Sequence, residues 1–586
     1  MTPRTGSGHG RPPRSSTRPF AWCLAVAVTV GLGGGTSWAS ASEPAVANTS
    51  APSPTAAPIL PAIACEQLRS LDLSTLAGAP TRILSAQPRP ATGGGPEHCT
   101  VTGYAAPQVH FELRLPTSGW TGRYLQLGCG GLCGFLDIAV SLPRTGCLPA
   151  DTGEFAIAAE DTGHTGASTT DGLWGGSDPQ LRVDYGYRSP HVVATAAKAI
   201  IGVFYGQAPA RSYFVGCSDG GRQALSQAQR FPADFDGIVA GAPANNWVAL
   251  SAMMLAWPST VNTDPHGQPI LGPDKLPVLH RAAMDSCDGA DGLVDGLIAD
   301  PRLCAFDPAS VRCPQGGDGS GCLTATQVEA ARKIYQGPAD RHGRHLYPGG
   351  APLGSELRWG FERAFMAALS LNYYQYLASW QNPPADFSLA DVAFDVSALR
   401  RLQQMSGLYD ATDPDLRAFA DRGGKLILWH GWTDSTIPPT GTLAYYDAVV
   451  DRTGGLPATQ QFARLFLFPG VEHCGGGNAP NTFDLLTPLR SWVEDASPPQ
   501  RIIATQRTRD GTVIRTRPVF PHPMQARYTG SGSVNDADNF VGVTPPNPPD
   551  DAFGWAGEPF RSGYQQWCHW NGTKLVCTHA RPAGDN

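Results

Sequence analysis

Short apolar runs alternate with turn residues along most of the chain, and their period predicts the elements. Gly122 to Leu127 reads as a strand running into the turn Gly128-Cys129-Gly130-Gly131, and Phe155 to Ala159 as a second strand. His191 to Tyr205 is Ala-rich with helical spacing, Arg211 to Val215 is a strand ending at Gly216, and Gln223 to Arg230 follows as a helix. Strand, tight turn and helix in alternation predict an α/β fold with a parallel sheet. From about 247 to 423 the rhythm breaks into two cysteine loops, a Gly/Asp-rich segment from Asp285 to Asp300, and aromatic stretches such as Trp359 to Trp380. Trp359, Tyr373, Tyr374 and Trp380 are expected in the core there. Strand patterns return at Lys425–Trp429 and Arg464–Phe468. The expectation is a core in two parts, 63–246 and 424–586 with a C-terminal tail, interrupted by a domain inserted at 247–423. Residues 42–62 are rich in Ala, Pro, Ser and Thr and read as a flexible leader.

Composition narrows the class. The 586 residues are 41% hydrophobic and 16% charged, enough to bury a large core. The net charge of −7 carries no basic excess, which argues against nucleic acid as the main partner. The first 41 residues resemble an export signal. Arg4, Arg11, Arg14 and Arg18 precede the apolar run Ala21–Leu32, and Ala39-Ser40-Ala41 is a small-x-small cleavage site. The run is short for a membrane anchor, and no other stretch is long and apolar enough to span, so neither tether nor membrane is expected. Removing the four arginines takes the charge from −7 to −11. Of 14 cysteines, Cys23 lies in the signal and 13 remain. The near neighbours Cys287 and Cys304, Cys313 and Cys322, and Cys568 and Cys577 suit short disulfide loops in an oxidising compartment, and Cys65 and Cys99 are expected to be bonded cysteines too. The odd count leaves one thiol over, expected among Cys129, Cys133 and Cys147.

Gly216-Cys217-Ser218-Asp219-Gly220 matches G-x-S-x-G between a predicted strand and helix. The sharp turn has no room for Cβ atoms two residues either side of the serine, and it lifts Oγ to the positive end of the helix. A serine nucleophile needs a base and an orienting acid. Asp434, in the loop after strand Lys425–Trp429, is where the acid belongs. His473, in the Gly-rich loop after strand Arg464–Phe468, is where the base belongs. His430, His164 and His191 are expected to be structural or substrate-facing. Cys217 precedes Ser218 and Cys474 follows His473. In an assembled triad these cysteines are neighbours and can bond; the plainer alternative is two unrelated core cysteines.

This Cys-Ser, Asp, His-Cys constellation resembles the tannase/feruloyl esterase family of α/β-hydrolases, which includes a terephthalate-monoester hydrolase. The resemblance extends to Asp184-Tyr185-Gly186-Tyr187-Arg188, Asp413-Pro414-Asp415-Leu416, Gly423-Gly424-Lys425-Leu426-Ile427 and Ala526-Arg527-Tyr528-Thr529-Gly530. It implies an α/β-hydrolase core with a large inserted lid domain, Ser218 as nucleophile, Asp434 as acid, His473 as base and a Cys217–Cys474 disulfide. The oxyanion would then be held by backbone N–H groups of Asp219 and of Gly130 or Gly131.

Asp288, Asp291 and Asp295 crowd into eight residues with glycines between them. They repel unless a cation sits among them, and hard oxygen ligands favour Ca2+; the alternative is an Asx-turn loop without metal. The resemblance adds the carbonyls of Leu293 and Leu297 to the ligand set. Two departures stand out: the oxyanion turn carries Cys129 and Cys133, where the family usually has Gly, Asn or Ala, and a bridge is missing. The family carries cysteines near Arg-Pro-x-Cys-Pro and after Asn-Phe, where this chain has Arg517-Pro518-Val519-Phe520-Pro521 and Asn539-Phe540-Val541-Gly542. Cys568 and Cys577 in the tail are expected to replace that disulfide's function. The implied protein is a secreted serine carboxylesterase. Its expected substrate is a small aromatic ester, carried on plant polysaccharide or polyphenol, with feruloyl or hydroxycinnamoyl esters first. Galloyl esters and terephthalate monoesters are the alternatives, and a non-catalytic binding module is the remote one.

Overall fold

In the computed structural model, the described residues are 57–580 except 93–94, 137, 139–151, 316–318, 320, 547–548, 552, 558–559 and 572. The expected signal at 1–41 and Cys147 lie outside them. Nine strands form one sheet: β1 (Thr81–Arg89), β2 (His98–Ala105), β3 (Val109–Pro116), β4 (Arg123–Leu127), β5 (Phe155–Glu160), β6 (Arg211–Cys217), β7 (Gly237–Gly241), β8 (Lys425–Gly431) and β9 (Ala463–Phe468), in the order β1-β2-β3-β5-β4-β6-β7-β8-β9. The first three run antiparallel and β3 pairs antiparallel with β5; from β5 to β9 every pairing is parallel.

Side-chain alternation splits the parallel strands between two cores. Tyr124, Phe214, Ile238, Leu426 and Leu428 face one cluster. It also holds Val192 to Tyr205 of α1 (Ser189–Tyr205), Ala224 and Leu225 of α2 (Asp219–Arg230), and Leu443 to Val449 of α6 (Pro439–Thr453). Leu125, Tyr213, Val239, Ile427 and Phe466 face the other, with Leu486, Leu489 and Trp492 of α7 (Leu486–Asp495). Strands covered on both faces read as unbroken apolar runs, which is why β8 and β9 were visible in the sequence. By contrast β2 alternates buried and half-buried positions, and its period-2 pattern (Cys99, Val101, Ala105 inward) escaped the reading.

β7 and β8 pair directly, so residues 242–424 are an insertion between adjacent parallel strands. It holds α3 (Leu276–Cys287), α4 (Ala325–Gln336) and α5 (Trp359–Tyr376). Trp359 and Tyr373 are buried in two separate clusters and Tyr374 packs against the one that holds Tyr373, as expected of core aromatics. Trp380 corrects the expectation: it is 48% exposed, with the Arg182 guanidinium 5.4 Å from its ring. The leader also ends before 62, because the Ile59 and Ala62 amides donate to the carbonyls of Trp120 and Phe204.

Among the described residues, twelve cysteines form six disulfides: Cys65–Cys99, Cys129–Cys133, Cys217–Cys474, Cys287–Cys304, Cys313–Cys322 and Cys568–Cys577. The last staples a hairpin, Trp567–Trp570 with Leu575–Thr578, and does not take over for the family's missing bridge. That hairpin packs on Tyr187 and Phe231. At the missing bridge, the Phe520 ring lies so close to Gly542 that a Cβ there would sit 2.7 Å from Cδ1. Ring-on-glycine packing fills that space instead.

Candidate active site

Ser218 sits between β6 and α2 at φ 66°, a left-handed conformation that serine adopts only when its surroundings impose it. Its neighbours allow the turn by lacking side chains. A Cβ on Gly216 would come 2.3 Å from the Gly220 carbonyl oxygen, and one on Gly220 would come 2.8 Å from that of Cys129. Helix α2 therefore starts at Asp219, four residues before the helical period becomes legible, and takes Gly220 and Gly221 into its first turn. The Ser218 amide donates to the Gly241 carbonyl, and the Ser218 carbonyl accepts from the Ala244 amide.

The loops after β8 and β9 deliver the other two groups. His473 Nε2 lies 2.9 Å from Ser218 Oγ, and its Nδ1 lies 2.7 Å from Asp434 Oδ2. Asp434 is fully buried, and its Oδ1 accepts from the amides of Thr436 (3.0 Å) and Ile437 (2.8 Å). Burial alone would raise this carboxyl. The charge and hydrogen bond of His473, with those of His430, outweigh it and hold Asp434 well below the usual carboxylate range. An ionised Asp434 fixes the Nδ1–H tautomer of His473, so Nε2 faces Ser218 Oγ as an acceptor. The Cys217–Cys474 disulfide joins the residue before Ser218 to the residue after His473.

The structure separates the other histidines. His430 is buried behind Asp434, with Nε2 2.8 Å from the Ile437 carbonyl and 3.1 Å from Asp434 Oδ2, and Nδ1 2.9 Å from Thr442 Oγ1. The carbonyl can only accept, so Nε2 carries hydrogen and His430 donates toward the acid. Its spacing of four from Asp434 was the only sequence signal for that contact. His164 stacks on Trp174 at 3.8 Å, and burial pushes it down to about 4, so it is neutral near pH 7. His191 bonds Asp234 at 2.6 Å and stacks on Phe231.

The glycine turn lies against the Ser218 turn: a Cβ on Gly128 would come 2.7 Å from the Gly220 Cα. The Cys129 amide is taken by Gln223 Oε1 at 3.1 Å, so Gly130 and Gly131 supply the candidate donors on this side. Gly131 has φ 62°, and a Cβ on it would come 2.2 Å from the Thr169 carbonyl oxygen. Opposite, the Asp219 amide opens α2 and so has no acceptor within the helix. The Asp219 carboxylate is buried away from chemistry: it accepts from Arg222 Nε at 2.6 Å and Tyr185 Oη at 2.9 Å. Arg222 also bonds Asp219 Oδ2 and the carbonyls of Gly186, Tyr409 and Tyr185, so all five of its donors are engaged. The sequence carried no signal for the role of Gln223.

Residues 94–543 match the family described as Tannase and feruloyl esterase. The chain belongs to that family. This tannase-family chain is 34% identical over 538 residues to mono(2-hydroxyethyl) terephthalate hydrolase of Piscinibacter sakaiensis, spanning 78% of this chain and 87% of the relative. It is 31% identical to a probable feruloyl esterase B-1 of Aspergillus fumigatus, over 73% of this chain and 82% of that one. Among solved structures, feruloyl esterase B from Aspergillus oryzae superposes with a TM-score of 0.72 at 26% identity, covering 82% of this chain and 99% of that one. The fold is that of the α/β-hydrolases, and the family is one of carboxylic ester hydrolases. The alternative of a non-catalytic module is therefore set aside.

In the insertion, Asp288 spends both oxygens on the amides of Asp295, Gly296 and Leu297. Asp291, Leu293, Asp295 and Leu297 line one cavity with Arg517, whose guanidinium pairs with Asp295. Burial raises the carboxyls of Asp291 and Asp295, and repulsion within the acidic trio adds to it. Among the described residues the three carboxylates do not converge to within 4.8 Å of one another. Hard oxygen donors on a partly buried, self-repelling loop fit a calcium ion in chemistry, with Arg517 offsetting part of the charge.

Proposed function

We propose that this chain is a secreted serine esterase that cleaves esters of hydroxylated aromatic acids, feruloyl and related hydroxycinnamoyl esters first, through Ser218, His473 and Asp434. The observation that carries the reading is the continuous hydrogen-bond chain from Ser218 Oγ through His473 to buried Asp434. His473 Nε2 takes the Ser218 proton as Oγ attacks the ester carbonyl. The oxyanion is held by the amides of Asp219 and of Gly130 or Gly131. His473 then gives its proton to the leaving alcohol, and water frees the acid by the reverse sequence. The inserted segment 247–423 acts as a lid; Asp288, Asp291, Asp295 and the carbonyls of Leu293 and Leu297 would hold a Ca2+ ion, whose charge would offset their repulsion and order the loop. The six disulfides among the described residues support an oxidising compartment, and the signal-like segment 1–41 supports export.

The name of the Piscinibacter relative favours a terephthalate monoester as the second reading. Methyl ferulate, methyl gallate and mono(2-hydroxyethyl) terephthalate assayed side by side decide between them. A kcat/KM for ferulate at least about tenfold above the other two supports the first reading, since each tenfold is about 1.4 kcal/mol of transition-state discrimination. Ferulate turnover below either of the others overturns it.

A further inference from the structure

Glu362, in the first turn of α5, and Arg358, the residue before that helix, reach out of the insertion to both loops of the triad. Glu362 accepts from the Ser435 hydroxyl, on the residue after Asp434. The other Glu362 oxygen accepts from Arg358 Nε at 3.2 Å. The same Nε lies 3.2 Å from Oε2 of Glu472, the residue before His473. Glu362 is 5% exposed and Ser435 4%, so this contact is sealed from water, whereas the Arg358 side chain is 36% exposed. One helical turn thus ties together neighbours of the acid and the base. None of these residues belongs to the triad or to the candidate oxyanion donors.

We propose that Arg358 and Glu362 are positioning residues for ester hydrolysis: from the inserted segment they clamp the acid loop to the base loop and bias the charge on His473. The proposal rests on reading Ser218, Asp434 and His473 as the triad. The charged groups around that triad are Asp434 with His430 behind it, Glu472 on the His473 loop, Arg358 and Glu362 on the insertion, and the Asp219–Arg222 pair beyond Ser218. Arg358 offsets only one of the two carboxylates it touches, so the clamp carries a net negative charge. Burial raises the Glu472 carboxyl, Arg358 draws it back, and Glu362 raises it, which marks the three as one electrostatic unit.

The signs follow from charge. Neutralising Arg358 leaves two carboxylates unopposed, favours the imidazolium of His473, and moves the acid limb of kcat/KM to higher pH. Neutralising Glu362 moves it to lower pH. The test compares pH profiles of the full chain as wild type, Arg358→Gln, Glu362→Gln and Glu362→Ala. Arg332→Gln is the control, because it removes an exposed ion pair with Asp307 elsewhere on the insertion. The expected result is opposite displacements of about 0.3 pH unit or more for Arg358→Gln and Glu362→Gln, shrinking above about 0.1 M salt as screening sets in. Glu362→Gln keeps an acceptor for Ser435 and should hold kcat within about twofold. Glu362→Ala loses that acceptor and should lower kcat about tenfold with a smaller change in KM. Displacements of the same sign, or profiles that coincide with the control, overturn the proposal. If Glu362→Ala does not fold, the two glutamine variants still decide. Full activity in Ser218→Ala would instead refute the triad reading beneath it.

Discussion

Replacing Cys217 and Cys474 with serine together removes the bond between the nucleophile turn and the base loop. The bond closes a loop across a sequence separation of 257 residues, spanning the whole insertion. Chain entropy for a loop of that length gives about 5.5 kcal/mol as an upper figure, and native disulfides more often return about 2–5 kcal/mol. The described part of the chain spans residues 57–580. At about 2.1 cal/mol/K per residue its unfolding entropy is near 1.1 kcal/mol/K, so a loss of that size lowers Tm by about 2–5 °C if the chain unfolds as one unit. Activity should respond more steeply than stability. Cys474 adjoins the base, and a shift of about 1 Å in a reacting group costs about a hundredfold. Calorimetry and steady-state kinetics on the double variant read both quantities. The signature of a staple is a modest fall in Tm with a large fall in kcat and little change in KM. A double variant with wild-type Tm and wild-type kcat would falsify the reasoning.

Ser218→Ala should lose several orders of magnitude in kcat while keeping the wild-type Tm and circular dichroism; turnover near wild type excludes Ser218 as nucleophile. Glu160, fully buried at the end of β5, is pushed up to about 8 by desolvation. The folded protein therefore keeps a proton that the unfolded chain gives up above about 4.5, and stability falls as pH rises from about 4.5 to 8. Glu160→Gln should flatten that fall, raising Tm at pH 8 relative to wild type with little effect at pH 5; parallel Tm curves for the two proteins contradict it. Chelation should lower Tm by loosening the Asp288–Asp295 loop, because an ion bound only by the folded state stabilises it. An unchanged Tm with no metal found by elemental analysis beforehand leaves the metal-free Asx-turn reading.

The sequence alone determined five of the six parallel strands, all but β7, and the chemistry-bearing loops, because both have local signatures. Strands buried on both faces must be continuously apolar, so β8 and β9 stood out. The nucleophile turn must be flanked by glycine, since Gly216 and Gly220 have backbone where a Cβ would go. The loop after β8 and the Gly-rich loop after β9 then pointed to Asp434 and His473. Tertiary structure alone decided what depends on segments far apart in the chain meeting. Periodicity in β2 does not say that it extends the parallel sheet on an antiparallel edge. Nor does the composition of the tail say that its disulfide lies against Tyr187 while Phe520 fills the space above Gly542. The Asp434 carboxyl is held ionised by His473, 39 residues further along, with His430 behind it. Ser435 meets Glu362 of α5, and Glu472 meets Arg358 just before it, across 73 and 114 residues of sequence. Such contacts leave no period in the chain, because a buried ion pair is set by where the backbone brings two side chains together and by the water excluded around them.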